Sequence, residues 1–157
     1  MRARKMVAKG FTLVEILIVV VILGILAAIV IPQFTNASEA AKYSNMVSQL
    51  QTVRSQIALY QNQHNDAMPD LSSNWDDLTG ETNITGAAPT GTDIVYGPYL
   101  QKVPVNPFTD SSSVGANAAA ASASVGWVWD GGILKAVMPD AKAEELGADE
   151  VNDVVVY

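Results

Sequence analysis

The fold is decided by residues 10–31, which read GFTLVEILIVVVILGILAAIVI. From Phe11 to Ile31 the stretch holds 21 residues, of which only Glu15 is charged. This length and composition predict a helix that crosses a lipid bilayer, which requires about 20 apolar residues. A carboxylate inside hydrocarbon is costly to bury and usually marks a function. Glu15 is therefore the first candidate functional residue.

Charge is divided sharply along the chain. Four of the nine basic residues precede Gly10, and all sixteen acidic residues follow it. Positive charge before the apolar run predicts a single-pass membrane protein with its N-terminus cytoplasmic and its C-terminal domain outside the cytoplasm. Removing residues 1–10 would leave five basic and sixteen acidic side chains, a formal charge of about −11. Such an acidic domain repels phosphate backbones, so we expect no nucleic-acid partner.

The segment from Lys9 to Glu15 resembles the processing site of the type IV pilin superfamily, which includes type IV pilins and the pseudopilins of type II secretion. The resemblance implies that a prepilin peptidase cuts after Gly10 and methylates Phe11. It also implies a homo-oligomeric filament built on an inner-membrane assembly platform. The resemblance further implies that the membrane is the inner membrane and that the C-terminal domain is periplasmic or extracellular. Cleavage would create an ammonium at Phe11, and pairing Glu15 with the ammonium of a neighbouring copy would fix the axial register of the subunits.

A second, shorter resemblance lies in the segment 97–108, which contains Gly-Pro-Tyr-Leu and later Pro-Val-Asn-Pro. It is similar to a segment of the major pseudopilin of type II secretion. Many Gram-negative type IV pilins close a C-terminal loop with a disulfide, whereas this chain has no cysteine. Together the two features favour a type II secretion pseudopilin over a type IV pilus pilin. The pilin, with roles in adhesion, motility or DNA uptake, remains the alternative.

An α+β, pilin-like fold is predicted, with a long N-terminal helix packed on a small antiparallel sheet. We divide the chain into a leader (1–10), a membrane and filament-core helix (11–31), an amphipathic helix (32–64) and an exported α+β head (65–157). Gly24 and Ala28 form a small-xxx-small pair that allows helices to approach closely. Pro32 removes a helical hydrogen bond and can bend the helix, yet apolar residues recur at helical spacing beyond it.

The head contains one clear hairpin, Trp127–Ala136, with Gly131-Gly132 as its turn. This turn pairs Trp129 with Leu134 and Trp127 with Ala136, and we expect the tryptophan face to lie on the apolar stripe of the helix. The other expectations are a loop over 65–91 pinned by Leu71, Trp75 and Leu78, a strand at 94–96, a flexible loop over 111–124, a helix at 141–146 and a strand at 154–157.

No catalytic motif is present, and the single histidine, His64, is interpreted as a polar residue at a helix end, so we predict that the chain is not an enzyme. The related pseudopilin binds calcium in a C-terminal loop, which makes Asp110 and Asp130 weak calcium candidates. Surface charge is the preferred interpretation of both, because the dense Asp/Gly pattern of such a loop is missing. A signal-anchored monomeric binding domain is the competing function, and it predicts no cleavage at Gly10.

Overall fold

The computed structural model describes residues 10–148 and 154–157 and divides into two compact units, Met1–Glu39 and Ala40–Tyr157. Helix α1 spans Leu13–Gln63 and belongs to both units. The predicted single helix, continuing past Pro32 to the region of His64, is confirmed. Residues 1–9 of the predicted leader lie outside the described residues.

The second unit adds two short helices and four strands. Their bounds are Asp76–Thr79 (α2), Val114–Gly115 (β1), Trp127–Asp130 (β2), Ile133–Met138 (β3), Asp140–Leu146 (α3) and Val154–Val156 (β4), with a turn of 3-10 helix at Ala118–Ala120. Helix α3 ends at Gly147, which adopts the left-handed conformation (φ 63°) that glycine accepts without steric cost. The predicted C-terminal helix and last strand are both present.

The sheet has the order β1-β2-β3-β4 and is mixed, so the prediction of an antiparallel sheet is wrong at both ends. The central hairpin has the predicted register, with Trp129 opposite Leu134 and Trp127 opposite Ala136. However, β1 pairs parallel with β2, and β4 pairs parallel with β3. The connections explain this difference, because a strand that follows a crossover connection runs in the same direction as the strand before it. The 3-10 turn lies in the connection from β1 to β2, and α3 lies in the connection from β3 to β4.

The core of the head lies between α1 and the sheet. One stripe of the helix is buried, and it comprises Met46, Leu50, Val53, Ile57 and Tyr60. These residues share one apolar cluster with Trp127 and Trp129, as predicted for the tryptophan face, and with the predicted pinning residues Leu71, Trp75 and Leu78. Arg54 fastens the helix to the hairpin, since its Nε and Nη2 donate to the carbonyl of Leu134 at 3.1 and 2.8 Å.

Two local predictions fail. Residues 94–96 do not form a strand, and only Tyr96 makes a bridge, with Thr82. Residues 111–124 are not a plain loop, because they contain β1 and the 3-10 turn. Here Ser111 and Ser113 both donate to the carbonyl of Ser124 at 2.8 Å. Hydrogen bonds from serine side chains thus hold this segment in place, in the role that buried apolar side chains usually have. This explains why the hydrophobic pattern of residues 111–124 gave no strand signal.

Asn106 is a buried polar residue that contacts the backbone of the sheet. It is fully buried, and its Nδ2 donates to the carbonyls of Gly126 and Val137 at 2.6 and 2.7 Å. Its Oδ1 accepts the backbone N–H of Phe108 at 2.9 Å. The side chain of Asn106 therefore joins the segment 97–108 to the backbone of Gly126, which precedes β2, and of Val137 in β3.

Asn106→Ala is expected to lower the free energy of unfolding of the head by about 2–5 kcal/mol, because three hydrogen bonds of a fully buried side chain are lost. Chemical denaturation followed by tryptophan fluorescence would measure the loss. Asn83→Ala, at a half-buried loop position, is the matched control and should cost less than about half as much. Equal effects of the two substitutions would contradict the bracing role.

The loop 83–93 is closed by its two end residues. Asn83 Oδ1 accepts from the backbone N–H groups of Thr85 and Ala87 at 3.0 and 3.1 Å, and from the Thr85 hydroxyl at 2.7 Å. Asp93 Oδ2 accepts from the backbone N–H and hydroxyl of Thr90 at 2.9 and 3.1 Å. The Asn83 amide donates to the same Asp93 oxygen at 3.3 Å, which joins the two ends.

Acid is expected to open this closure. The backbone N–H of Thr90, the Asn83 amide and the Thr90 hydroxyl hold the pKa of Asp93 below its ordinary value of 3.8. A lowered pKa in the folded state means that the stabilisation is fully present above the ordinary pKa and is lost as pH falls through the lower, folded value. The amide proton shift of Thr90, followed by NMR from pH 6 to pH 2, should titrate below pH 3.8. In Asp93→Asn this step should vanish.

Candidate processing and assembly site

The first turn of α1 is closed by a reciprocal pair of side chains. Thr12 precedes the helix, and its hydroxyl accepts the backbone N–H of Glu15 at 3.2 Å. Glu15 Oε2 in turn accepts the backbone N–H of Thr12 at 2.8 Å and its hydroxyl at 2.7 Å. This is a capping box, in which the first and fourth residues satisfy each other's free N–H groups.

The capping box gives Glu15 a function within one chain that the sequence analysis missed. The signal was present in the sequence, since Thr-x-x-Glu before an apolar run is the signature of such a cap. The carboxylate accepts two hydrogen bonds from Thr12, so it reaches the membrane boundary with hydrogen-bond partners even when no other copy is near.

Gly10 and Phe11 lie just before the helix, and both are exposed. A Cβ atom built on Gly10 would meet no other atom within 4 Å, and its φ is not in the positive range that favours glycine. The fold therefore sets no requirement for glycine at this position.

The helix surface after Glu15 is apolar on every side. The large side chains from Ile16 to Ile31 are 41–63% exposed, and the helix contains an 18-residue window of mean hydropathy 3.3, none of it buried. Gly24 has no atom within 4 Å of an added Cβ, although glycine inside a helix costs about 1 kcal/mol relative to alanine. Nothing in a single chain compensates for that cost, whereas the close approach of another helix would.

Pro32 lies inside α1, and the helix continues through it. Proline has no N–H to donate to the carbonyl four residues earlier, so one hydrogen bond of the ladder is absent there. One turn later Thr35 donates its hydroxyl to the carbonyl of Ile31 at 3.2 Å. All residues from Ile16 to Ile31 are apolar, and polar residues begin at Gln33. Pro32 therefore lies at the junction between the two parts of the helix.

The calcium candidates do not form a site with other metal-binding side chains. In residues 10–148 and 154–157, no group of three His, Cys, Asp or Glu side chains is arranged to hold a metal ion. Asp130 lies 4.0 Å from the ammonium of Lys135. Asp110 lies on an exposed turn with φ 50°, next to the bridge between Asn106 and Ser111.

His64 has a structural environment. It lies directly after α1, is 1% exposed, and stacks on Tyr60 with the ring centroids 3.8 Å apart. Its Nδ1 donates to the carbonyl of Tyr60 at 2.8 Å, because a carbonyl only accepts, and its Nε2 lies 3.0 Å from the Thr82 hydroxyl. Burial raises the pKa of Tyr60 to about 12. The predicted position at the helix end is confirmed, and its burial was not foreseen.

Comparison with known proteins gives matches over the same regions. Residues 5–31 match the family described as "Prokaryotic N-terminal methylation motif". The chain is 32% identical over 100 residues to type II secretion system core protein G of Aeromonas hydrophila, which covers 64% of this chain and 67% of that protein. For the protein of the same name from Pseudomonas aeruginosa the identity is 35% over 100 residues, covering 64% and 68%.

Type IV pilins match over a shorter region. The type IV narrow pilus major component of Thermus thermophilus is 46% identical over 52 residues, which covers 33% of this chain and 45% of that protein. No solved structure gave a significant match. Because the core protein G relatives match the chain over 100 residues and the pilin over 52, the chain belongs to the family of type II secretion system core protein G, within the type IV pilin superfamily.

Proposed function

We propose that this protein is a membrane-anchored structural subunit of a type II secretion filament. A prepilin peptidase cuts it after Gly10 and methylates Phe11. The processed chain stays in the inner membrane through residues 11–31, with the head on the periplasmic side, until an assembly platform adds it to a fibre of identical copies. Its role is structural, as in its relatives, and it carries out no chemical reaction.

The observation that supports this most strongly is the combination of the methylation motif with a helix that is apolar on every side. Burying one large apolar side chain is worth about 1.5–3 kcal/mol relative to exposure to water. The exposed side chains from Ile16 to Ile31 therefore need a non-aqueous environment at all times. Lipid supplies it before assembly, and the helices of neighbouring copies supply it afterwards.

Glu15, Gly24 and Pro32 have separate tasks in this proposal. Glu15 exchanges its Thr12 partner for the Phe11 ammonium of a neighbouring copy, which sets the axial register. Gly24 provides the close approach between helices that its missing side chain permits. Pro32 supplies a weakened turn at which the helix can adjust its direction during packing.

A secretion fibre is favoured over a type IV pilus by the extent of the matches. The pilin match covers 52 residues, whereas the matches to core protein G of Aeromonas hydrophila and Pseudomonas aeruginosa extend over 100 residues. A match of 100 residues is longer than residues 1–64, so the head contributes to it. The absence of cysteine agrees with this choice.

Intact-mass spectrometry of the protein purified from its own cells tests the proposal. The expected mass is that of residues 11–157 plus one methyl group, and cross-linking in the membrane should give a ladder of oligomers. Gly24→Leu should reduce the ladder, while the chain is still cut and methylated and the amount of membrane protein is unchanged. A chain that retains residues 1–10 and remains monomeric would instead establish the signal-anchored binding domain.

A further inference from the structure

The chain contains two Asn-x-Ser/Thr sequences, and they differ in structure. The first is Asn36-Ala37-Ser38, which lies inside helix α1. The second is Asn83-Ile84-Thr85, which lies in the loop 83–93 outside every helix and strand. This triplet is the acceptor for N-linked glycans when it lies on a surface loop of an exported protein.

Only the loop sequence presents its two polar side chains together. Asn83 Oδ1 and the Thr85 hydroxyl are 2.7 Å apart, and Ile84 between them is 45% exposed. In a helix, side chains two positions apart point in different directions, so Asn36 and Ser38 cannot be presented as a pair. The residue two positions before the asparagine also differs, being the exposed acid Glu81 in the loop sequence and Phe34 in the helix.

The loop can release Asn83 without disturbing the core. All hydrogen bonds of its side chain go to Thr85, Ala87 and Asp93, which belong to the same loop. The longest of them, 3.3 Å, is the bond from the amide nitrogen to Asp93. The base of the loop is held independently, because Thr82 is buried, pairs with Tyr96 and bonds to His64.

We propose that Asn83 is a site of N-linked glycosylation, with Thr85 supplying the hydroxyl that the transferase recognises. The inference rests on the proposed function, since it requires the head to be exported. The donor is an oligosaccharide joined to a lipid through a pyrophosphate. The amide nitrogen Nδ2 forms a bond to the anomeric carbon, the bond from that carbon to the pyrophosphate oxygen breaks, and the lipid pyrophosphate leaves with the electron pair. The amide loses one proton to a base of the transferase.

Trypsin separates the two sequences, which makes the test direct. No Lys or Arg lies between Arg54 and Lys102, so Asn83 falls in peptide 55–102, and Asn36 falls in the peptide that ends at Lys42. In protein purified from its own cells, we expect peptide 55–102 to be heavier by a sum of whole sugar residues, with fragment ions that place the sugar on Asn83. The peptide ending at Lys42 should carry no sugar, and its mass should be that of residues 11–42 plus the one methyl group on Phe11.

Four variants complete the experiment. Asn83→Gln and Thr85→Val should each abolish the added mass, whereas Thr85→Ser keeps the hydroxyl and should retain it. Asn36→Gln should change nothing. The proposal is overturned if native peptide 55–102 occurs only at its unmodified mass, or if the added mass survives in both Asn83→Gln and Thr85→Val. The same spectra report removal of residues 1–10, so a processed chain without sugar refutes only this inference, and an unprocessed chain refutes the proposed function.

Discussion

Glu15→Gln is expected to abolish fibres while the chain is still cut after Gly10 and still inserted in the membrane. Removing one member of a buried ion pair costs about 3–5 kcal/mol, because the other charge is left without compensation. For each contact between copies this corresponds to an affinity lower by a factor of about 10²–10⁴. Cleavage should persist because the bond that is cut lies outside helix α1, four residues before the carboxylate.

The capping box makes a second explanation of such a defect testable. Glu15 also bonds to Thr12, so loss of the carboxylate weakens the first turn of α1 as well as any pair between copies. Thr12→Val removes the capping hydroxyl but keeps the charge, and a lost cap costs about 1 kcal/mol. We therefore expect Thr12→Val to lower the yield of fibres less than about tenfold.

Electron microscopy of sheared fibres and immunoblotting of the membrane fraction would measure both variants. If Thr12→Val and Glu15→Gln reduce fibres equally, the cap and not the charge controls assembly. If Glu15→Gln assembles normally, neither the cap nor the charge controls assembly, and the proposal that Glu15 sets the axial register fails.

Trp127→Ala should be the most destabilising single change in the head. Trp127 has no exposed surface, its ring meets that of Trp75 edge-on with the centroids 6.3 Å apart, and its Nε1 donates to the carbonyl of Pro104 at 3.1 Å. Replacing a buried tryptophan by alanine costs about 3–5 kcal/mol. Domains of this size have a total stability of about 5–15 kcal/mol, so a large part of it would be lost.

Thermal unfolding of the processed chain in detergent, followed by the fluorescence of Trp75 and Trp129, would show a midpoint lower by about 10–20 °C. Ile133→Ala is the matched control on the same hairpin, because Ile133 is 50% exposed. It should cost less than about 1 kcal/mol. A Trp127→Ala midpoint no lower than that of Ile133→Ala would show that the tryptophan face is not the centre of the core.

The parts of the fold that were predictable have a local signal. The Gly131-Gly132 turn fixed the hairpin register, since a two-residue loop allows only one pairing of its flanking strands. The apolar period of 3.6 residues identified α1 beyond Pro32. In contrast, β1 consists of two residues, Val114 and Gly115, which is too short to show any alternation. Its pairing depends on contacts distant in sequence, which a pattern cannot contain.

The candidate site has a local signal, whereas the buried polar residues of the head do not. The motif around Gly10 and Glu15 is continuous in sequence and can be recognised directly. Asn106 was not identified as a structural centre, because its partners Gly126 and Val137 are 20 and 31 residues away along the chain. His64 was placed at the helix end but not in the core, since its burial depends on Thr82 in the following loop.

The two end strands of the sheet contain only two and three residues, in β1 and β4. A long exposed edge would offer a row of free N–H and C=O groups to which another sheet can add. Polymerisation concentrates many heads around a common axis, and at such crowding a long edge would invite amyloid-like stacking between them. Because these strands are short, they offer few free backbone groups to which the sheet of another head could add. The filament therefore grows in the direction set by the N-terminal helices.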